Sequence, residues 1–272
     1  MHFDLWVHFF NVTIEITIAT SASIQLIRNA TLILHYNGKK ILVDPMFFPK
    51  GAFDPIAGKE RNPMVELPIS VEEIIKDINL VLVTHTHPDH FDPVAMEALD
   101  KSIILFYQPA DTEYFRNANF TNAETITDSV LWDGITTYRT GGEHGSGEVL
   151  QLMGTVSGFV LKAENQPTIY IVGDSVWSDE VEEAIHQFKP DYIVTNSGGA
   201  EMPGFEGTPI ILNEEQTVTL VEASGNAKVI ATHMGALDHC RTTRTSLRRT
   251  ADEAKIASDK LLIPKDGERI KL

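Results

Sequence analysis

Apolar and polar residues alternate through "SIQLIRNATLILHY", the pattern breaks at Asn37-Gly38, and apolar residues resume in "KKILV". Alternation of period two predicts strands, and Asn-Gly between two such runs predicts a tight hairpin because both residues tolerate positive φ. The alternation then lapses over residues 44–69, which carry five prolines and two glycines and predict one long irregular loop. That loop is too apolar for a linker, and long loops inside compact domains often border a site. Ser70 with Glu73 forms a capping-box signature for a helix over 71–77. The run "NLVLVT" (79–84) predicts a buried strand, and Asp92-Pro93 predicts the N-cap and first turn of a helix over 93–100.

Downstream, the pattern predicts a strand at 102–107, a helix near 110–117 and short strands within 125–139. A glycine-rich loop follows at 139–149, then strands near 150–153, 156–163 and 168–173, a helix over 178–188 and a strand at 191–195. After a second long loop, 196–210, come a helix over 214–224 capped by Asn213 with Gln216, and the strand "AKVIAT" (227–232). A helix over 241–257 and a last strand at 260–264 complete the pattern. Hairpins cluster in the first half and strands alternate with helices in the second, without sequence repeats or a composition break. The expectation is one α/β domain over residues 24–272, with mixed sheets covered by helices.

Residues 1–23 predict an N-terminal extension, either an extra strand or a disordered segment. A secretory signal is disfavoured because no Lys or Arg precedes the apolar stretch and Asp4 and Glu15 interrupt it. His2 and His8 are therefore set apart from any site. The single cysteine, Cys240, excludes an intrachain disulfide and a Cys-rich zinc site, which fits a cytoplasmic protein. No apolar run reaches membrane-spanning length, so no membrane partner is expected. A net charge of −16 repels phosphate backbones, so nucleic acid is not an expected partner. The basic stretch "RTTRTSLRRT" (241–250) has the spacing of a solvated helix face. The expected partner is a small-molecule substrate, with a homo-oligomer left open.

The chemistry concentrates in "VLVTHTHPDHFDP" (81–93), where His85, His87, Asp89 and His90 follow directly on a buried strand. That places them beyond the strand's C-terminal edge, where open α/β sheets bind ligands. His85 and His87, two apart in extended chain, can point the same way, and the Pro88 bend lets Asp89 and His90 face a second point. Imidazoles with carboxylates are the donor set favoured by zinc and its first-row neighbours. His144 in "GGEHGSG", Asp174 after "TIYIVG" and His233 after "KVIAT" share the setting of a strand end followed by a loop. Asp238 and His239 follow His233 closely and are candidate substrate-facing groups, with His239 able to protonate a leaving group; capping of the next helix is the alternative. Asn196 and Ser197, at the end of "DYIVT", are candidate hydrogen-bond donors to substrate. Trp177 is weighed as a pocket wall or a core residue, His186 as exposed on a helix and His35 as half-exposed in a strand.

In order and spacing, His85-x-His87-x-Asp89-His90, His144, Asp174 and His233 resemble the metal motifs of the metallo-β-lactamase superfamily. The similarity spans residues 24–264. "IQLIRNATLILHYNGKKILVDPMF" and "ATHMGALDHC" are most similar to the branch of ascorbate-6-phosphate lactonase-like metal-dependent hydrolases. The resemblance implies an αββα sandwich and two divalent metal ions, with zinc the leading candidate and manganese or iron as others. It implies that His85, His87 and His144 hold one ion, that Asp89, His90 and His233 hold the other, and that Asp174 bridges them. It further implies a metal-dependent hydrolase acting on a small-molecule ester, lactone or phosphoester, with Asp89, Asp174 and His239 at the chemistry. Alternatives are a nuclease of the same superfamily, a di-iron oxidoreductase and a non-catalytic binding protein. Relatives of the di-iron class carry Glu where this chain has His87 and add a flavin domain. No Arg or Lys set for a substrate phosphate stands out, and the substrate is expected to be written in the loops 44–69 and 196–212.

Overall fold

The computed structural model describes residues 22–272, so the expectations for residues 1–21 lie outside the described residues. Its strands form two seven-stranded sheets. The first sheet contains β1 (Ser23–Arg28), β2 (Thr31–Tyr36), β3 (Lys39–Val43), β4 (Leu80–Val83), β5 (Ile104–Tyr107) and β6 (Ala123–Thr125) side by side. The second runs in order through β7 (Ser129–Trp132), β8 (Ile135–Thr140), β9 (Gly158–Ala163), β10 (Ile169–Ile171), β11 (Tyr192–Asn196), β12 (Lys228–Thr232) and β13 (Leu261–Leu262). A last strand, β14 (Arg269–Lys271), returns to the first sheet and pairs antiparallel with β1. Ser23 thus belongs to the domain rather than to the extension.

Both sheets obey one rule. Early strands are hairpin-linked and antiparallel, and later ones, β3 to β6 and β10 to β13, run parallel. Parallel neighbours need crossovers. In the first sheet these carry α1 (Val71–Ile75), α2 (Pro93–Ala98) and α3 (Thr112–Asn117). In the second they carry α5 (Asp179–Phe188), α6 (Glu214–Ala223) and α7 (Arg244–Glu253), while α4 (Gly147–Met153) lies between β8 and β9. The local signals act as expected. Asn37 and Gly38 take φ of 49° and 73° in the β2–β3 hairpin. Ser70 accepts from the Glu73 N–H, Asp92 from Ala95 and Asn213 from Gln216.

The "LVLV" of β4 shows how the layers are held. Leu80 and Leu82 face the other sheet and join Phe159, Leu161 and Ile230 in the central core. Val81 and Val83 face outward and pack with Phe91, Ala95 and Phe115 beneath the first helical layer. A second outer core lies under α5 to α7, around Val181, Leu220 and Leu247. Three apolar layers between four layers of secondary structure make the αββα sandwich.

Two expectations need correction. Residues 150–153 are not a strand but the end of α4, because "GEVLQLM" is rich in helix formers and buries Val149 and half-buries Met153, one turn apart. The strand β14 went unpredicted because "RIK" offers a single apolar residue and gains its pairing only from β1. The basic stretch lies largely in α7, where Arg244 and Arg248 turn back to donate to the carbonyls of Pro264 and Ile256. The Leu82→Ala variant is expected to lose about 2–5 kcal/mol of unfolding free energy in a urea titration. A loss well under 1 kcal/mol would show that the central layer does not close as tightly as the burial implies.

Candidate metal centre

Strands β3, β4, β10, β11 and β12 all end at the same edge of the sandwich, and the candidate groups sit just past those ends. The bend after β4 brings His85, His87, Asp89 and His90, the loop after β8 brings His144, the turn after β10 brings Asp174, and β12 delivers His233. Their donor atoms fall into two sets. His85, His87 and His144 form the first, and Asp89, His90, Asp174 and His233 the second, with all atoms of a set within 4.8 Å of one another. In the first set, His87 Nδ1 lies 3.0 Å from His85 Nε2 and 3.3 Å from His144 Nε2. In the second, Asp89 Oδ2 is 3.1 Å from His233 Nε2, and Asp174 Oδ2 is 3.1 Å from His90 Nε2.

Asp174 lies between the sets. Its Oδ2 also stands 3.6 Å from His144 Nε2 and 3.9 Å from His85 Nε2, and its Oδ1 stands 3.8 Å from His233 Nε2. Four imidazoles of the two sets have their remote nitrogen occupied by the protein. Thr84 Oγ1 gives its proton to Asp44 Oδ2 at 2.8 Å, so its lone pair is free to accept from His85 Nδ1 at 3.1 Å. His90 Nδ1 donates to Asp44 Oδ2 at 2.9 Å, and His144 Nδ1 donates to the Ile210 carbonyl at 2.7 Å. His233 Nδ1 lies 3.6 Å from Cys240 Sγ. With Nδ1 engaged outward, a facing nitrogen that gives up its proton presents a lone pair to the middle of the site, the tautomer a cation requires.

The residues present fit metal ions. His90 Nε2 is buried without a hydrogen-bond partner, although two carboxylates stand beside it. The charge environment agrees. Burial alone would lower the His90 imidazole, yet the Asp174, Asp89 and Asp44 carboxylates raise it to about 10. Burial alone would raise Asp174 and Asp89, yet the His90 and His233 imidazoles hold both well below the ordinary carboxylate range. A field that grips a proton so firmly is one that attracts a divalent cation. At the other end, burial and neighbouring His90 drive His85 well below its ordinary value, leaving it neutral and able to coordinate.

The remaining candidates are placed differently. His239 is buried, lines the cavity beside Asp89 and Asp174, and leaves Nδ1 without a partner. Burial lowers its pKa below the ordinary imidazole value. The Asn196 amide donates to Asp174 Oδ1 at 2.6 Å, fixing that carboxylate. Ser197 is fully buried and shares its hydroxyl with Thr195 and Thr217. Asp238 turns away from the donor atoms and binds the loop after β3. All three candidate substrate contacts thus have their polar atoms engaged by protein partners. Trp177 packs against the core under α5 to α7, His186 is exposed and His35 is half-exposed.

Sequence reasoning missed Asp44, Thr84, Asn29 and Cys240. Asp44 was detectable, since it follows a strand as Asp174 does, whereas Asn29, whose amide donates to the Asp89 carbonyl, is met only through the fold. The donor atoms open into a cavity of about 630 Å³ whose apolar wall includes Phe48, Phe53 and Ile56 on one side and Leu152, Met153 and Met202 on the other. Among the described residues lining it there is no lysine or arginine.

Residues 39–234 match the family described as the beta-lactamase superfamily domain. The chain is 37% identical to UPF0173 protein YddR of Bacillus subtilis, over 90% of this chain and 98% of that one. Two solved structures superpose over nearly their whole lengths. A possible metal-dependent hydrolase from Veillonella parvula gives a TM-score of 0.88 at 36% identity, over 93% of this chain and 100% of the other. An isothiocyanate hydrolase from Delia radicum gut bacteria gives 0.86 at 38% identity, over 92% and 99%.

Changing Asp44→Asn keeps the shape but removes an acceptor from His90 and Thr84. Metal affinity is expected to fall by about 10–100-fold, measured by competition with a chromogenic chelator. Unchanged affinity in a folded variant would mean that His90 is oriented without Asp44.

Proposed function

We propose that this chain, which belongs to the metallo-β-lactamase superfamily, is a metal-dependent hydrolase acting on small, uncharged electrophiles with an apolar tail, organic isothiocyanates foremost. The observation that carries the reading is the cavity itself, which reaches the seven converging donors through His87, Asp89, His144 and Asp174 and whose wall is largely apolar and free of lysine and arginine. A phosphoester would leave its charge unmatched against that wall, and the net charge of −16 weighs against a nuclease. The isothiocyanate hydrolase relative, at 38% identity, supports a carbon electrophile rather than a phosphorus one. A carboxylic ester or lactone with similar substituents is the second reading, because it presents the same uncharged carbon to the same wall.

His85, His87 and His144 would hold one ion and Asp89, His90 and His233 the other, with Asp174 between them. When bound, the cations supply a water acidic enough to attack near neutral pH, and positive charge for the anion that develops. Asn196 keeps Asp174 aligned for that task. For an isothiocyanate, water adds across C=N: one C–O bond forms, and the π pair moves to nitrogen, which takes a proton. Breaking the C–N bond then gives amine and carbonyl sulfide, so R–N=C=S + H2O yields R–NH2 + COS with nothing oxidised or reduced. His239, neutral through burial and without a partner on Nδ1, is placed to pass a proton from water to the departing nitrogen. The apolar walls exclude bulk water and hold the tail.

Elemental analysis of the purified protein is expected to find close to two first-row ions per chain, and Asp174→Ala to lose at least one. Benzyl isothiocyanate hydrolysis should vanish with chelator and return with added zinc or manganese; turnover indifferent to chelation would overturn the reading. Phosphodiesters should be poor substrates, with hexanoate esters and lactones as the comparison arm. His239→Gln is expected to lower kcat by roughly a hundredfold or more without changing metal content. An unchanged kcat would move the proton transfer to another group.

A further inference from the structure

Outside the metal-binding residues, one buried carboxylate ties the two sides of the site together. Asp238 follows the ligand His233 by five residues and directly precedes His239. Its Oδ1 accepts from the Ile56 N–H at 3.0 Å and from Asn62 Nδ2 at 2.7 Å, and its Oδ2 accepts from the Gly58 N–H at 2.5 Å. The Asp238 N–H in turn donates to Asn62 Oδ1 at 2.9 Å. Asn62 is fully buried and pairs by two backbone hydrogen bonds with Phe53. Every one of these partners lies in the loop after β3, which supplies Phe48, Phe53 and Ile56 to the cavity.

Arg28, Asp92 and the Ala236 carbonyl hold residues 46–48, 64 and 65, but between Asp54 and Gly58 the anchors from outside the loop are Asp238 and the Arg241 guanidinium on the Ala57 carbonyl. Residues 44–70 hold no helix and no strand, only the isolated bridge between Phe53 and Asn62. A segment of that length samples many conformers unless its backbone donors are fixed. Burial alone would raise the Asp238 carboxyl, yet the hydrogen bonds from Asn62, Ile56 and Gly58 hold it below the ordinary carboxylate value, so it is charged near neutral pH. Charge-assisted bonds to backbone N–H groups are the stronger class. Gly58 is fitted to this contact, since a Cβ there would stand 2.6 Å from Asp238 Oδ2.

We propose that Asp238 is a positioning residue that sets substrate selectivity, by locking the apolar wall of Phe53 and Ile56 against the metal edge so that the site favours electrophiles with an aryl or longer alkyl tail. The opposite wall fits such a tail. Leu152, on the helix after His144, is 69% exposed at the cavity, a position whose apolar surface is satisfied when a tail lies across it. Substrates ending in a single methyl do not reach either wall. They therefore gain nothing from its order.

The inference rests on the hydrolase reading, and the experiment separates the two. Wild type, Asp238→Asn and Gly58→Ala are compared on benzyl and methyl isothiocyanate, together with metal content and amide hydrogen exchange of residues 52–60. Asp238→Asn turns one acceptor into an NH2 group facing an N–H, and Gly58→Ala pushes on the same carboxylate from the loop side. In both variants the benzyl-to-methyl ratio of kcat/KM is expected to fall by about tenfold, mainly through a higher KM for benzyl. Exchange over 52–60 should quicken while metal content holds. Equal losses on both substrates, or an unchanged ratio, would overturn the proposal. Should wild type hydrolyse neither compound, the isothiocyanate reading fails, and unaltered exchange in the variants would then overturn the clamp as well.

Discussion

Two carboxylates, the half-buried Asp89 and the buried Asp174, stand ionised among imidazoles at one edge of the sandwich, and most of the architecture serves to make that tolerable. Isolated charge in a protein interior is strongly disfavoured unless opposite charge meets it. Here the surrounding residues are organised so that cations could supply the compensating charge. Asp44 and Thr84 turn His90 and His85 inward, the Ile210 carbonyl does the same for His144, and Asn196 fixes Asp174. None of these supports is near its client in sequence except Thr84. Only the fold assembles them, because parallel strands of both sheets end on the same side.

The seven donors were legible in the sequence because metal-competent side chains crowd the bend after β4 and recur past the ends of β10 and β12, while His144 stands out by its glycine-rich loop. The hairpin at Asn37-Gly38 and the caps at Ser70, Asp92 and Asn213 were legible for a similar reason, as local chemistry suffices to specify them. Signals that fail are those whose meaning depends on a distant partner. The strand β14 exists because β1 offers an open edge, and α4 misled because four apolar or neutral residues fit either period. Asn196, Ser197 and Asp238 have the side chains of substrate contacts, but the fold supplies nearer partners for all three. Asp44 could have been recognised, since it occupies after β3 the place that Asp174 occupies after β10.

That equivalence reflects a deeper one. Each sheet is built as hairpin-linked strands followed by parallel strands with helical crossovers, although no sequence repeat joins the halves. In the second half the carboxylate at this point lies among the clustered donor atoms, while in the first it orients the His90 imidazole. One structural position thus carries two related duties. The apolar lining of the cavity, by contrast, comes in large part from segments without regular structure, above all the loop after β3 and the loop containing Met202 and Ile210. Strand ends thus carry the clustered donors, and loops shape the space in front of them.

The placement of β14 bears on how the molecule comes together. Its three residues close the outer edge of a sheet whose other members lie within residues 23–125, yet they follow the whole of the second sheet in the chain. Until residues 269–271 pair with it, β1 presents a flank of open backbone groups, the kind of edge that invites a neighbouring strand. The first sheet is thereby completed by residues that lie beyond the whole of the second, a long-range pairing that links the two ends of the described chain.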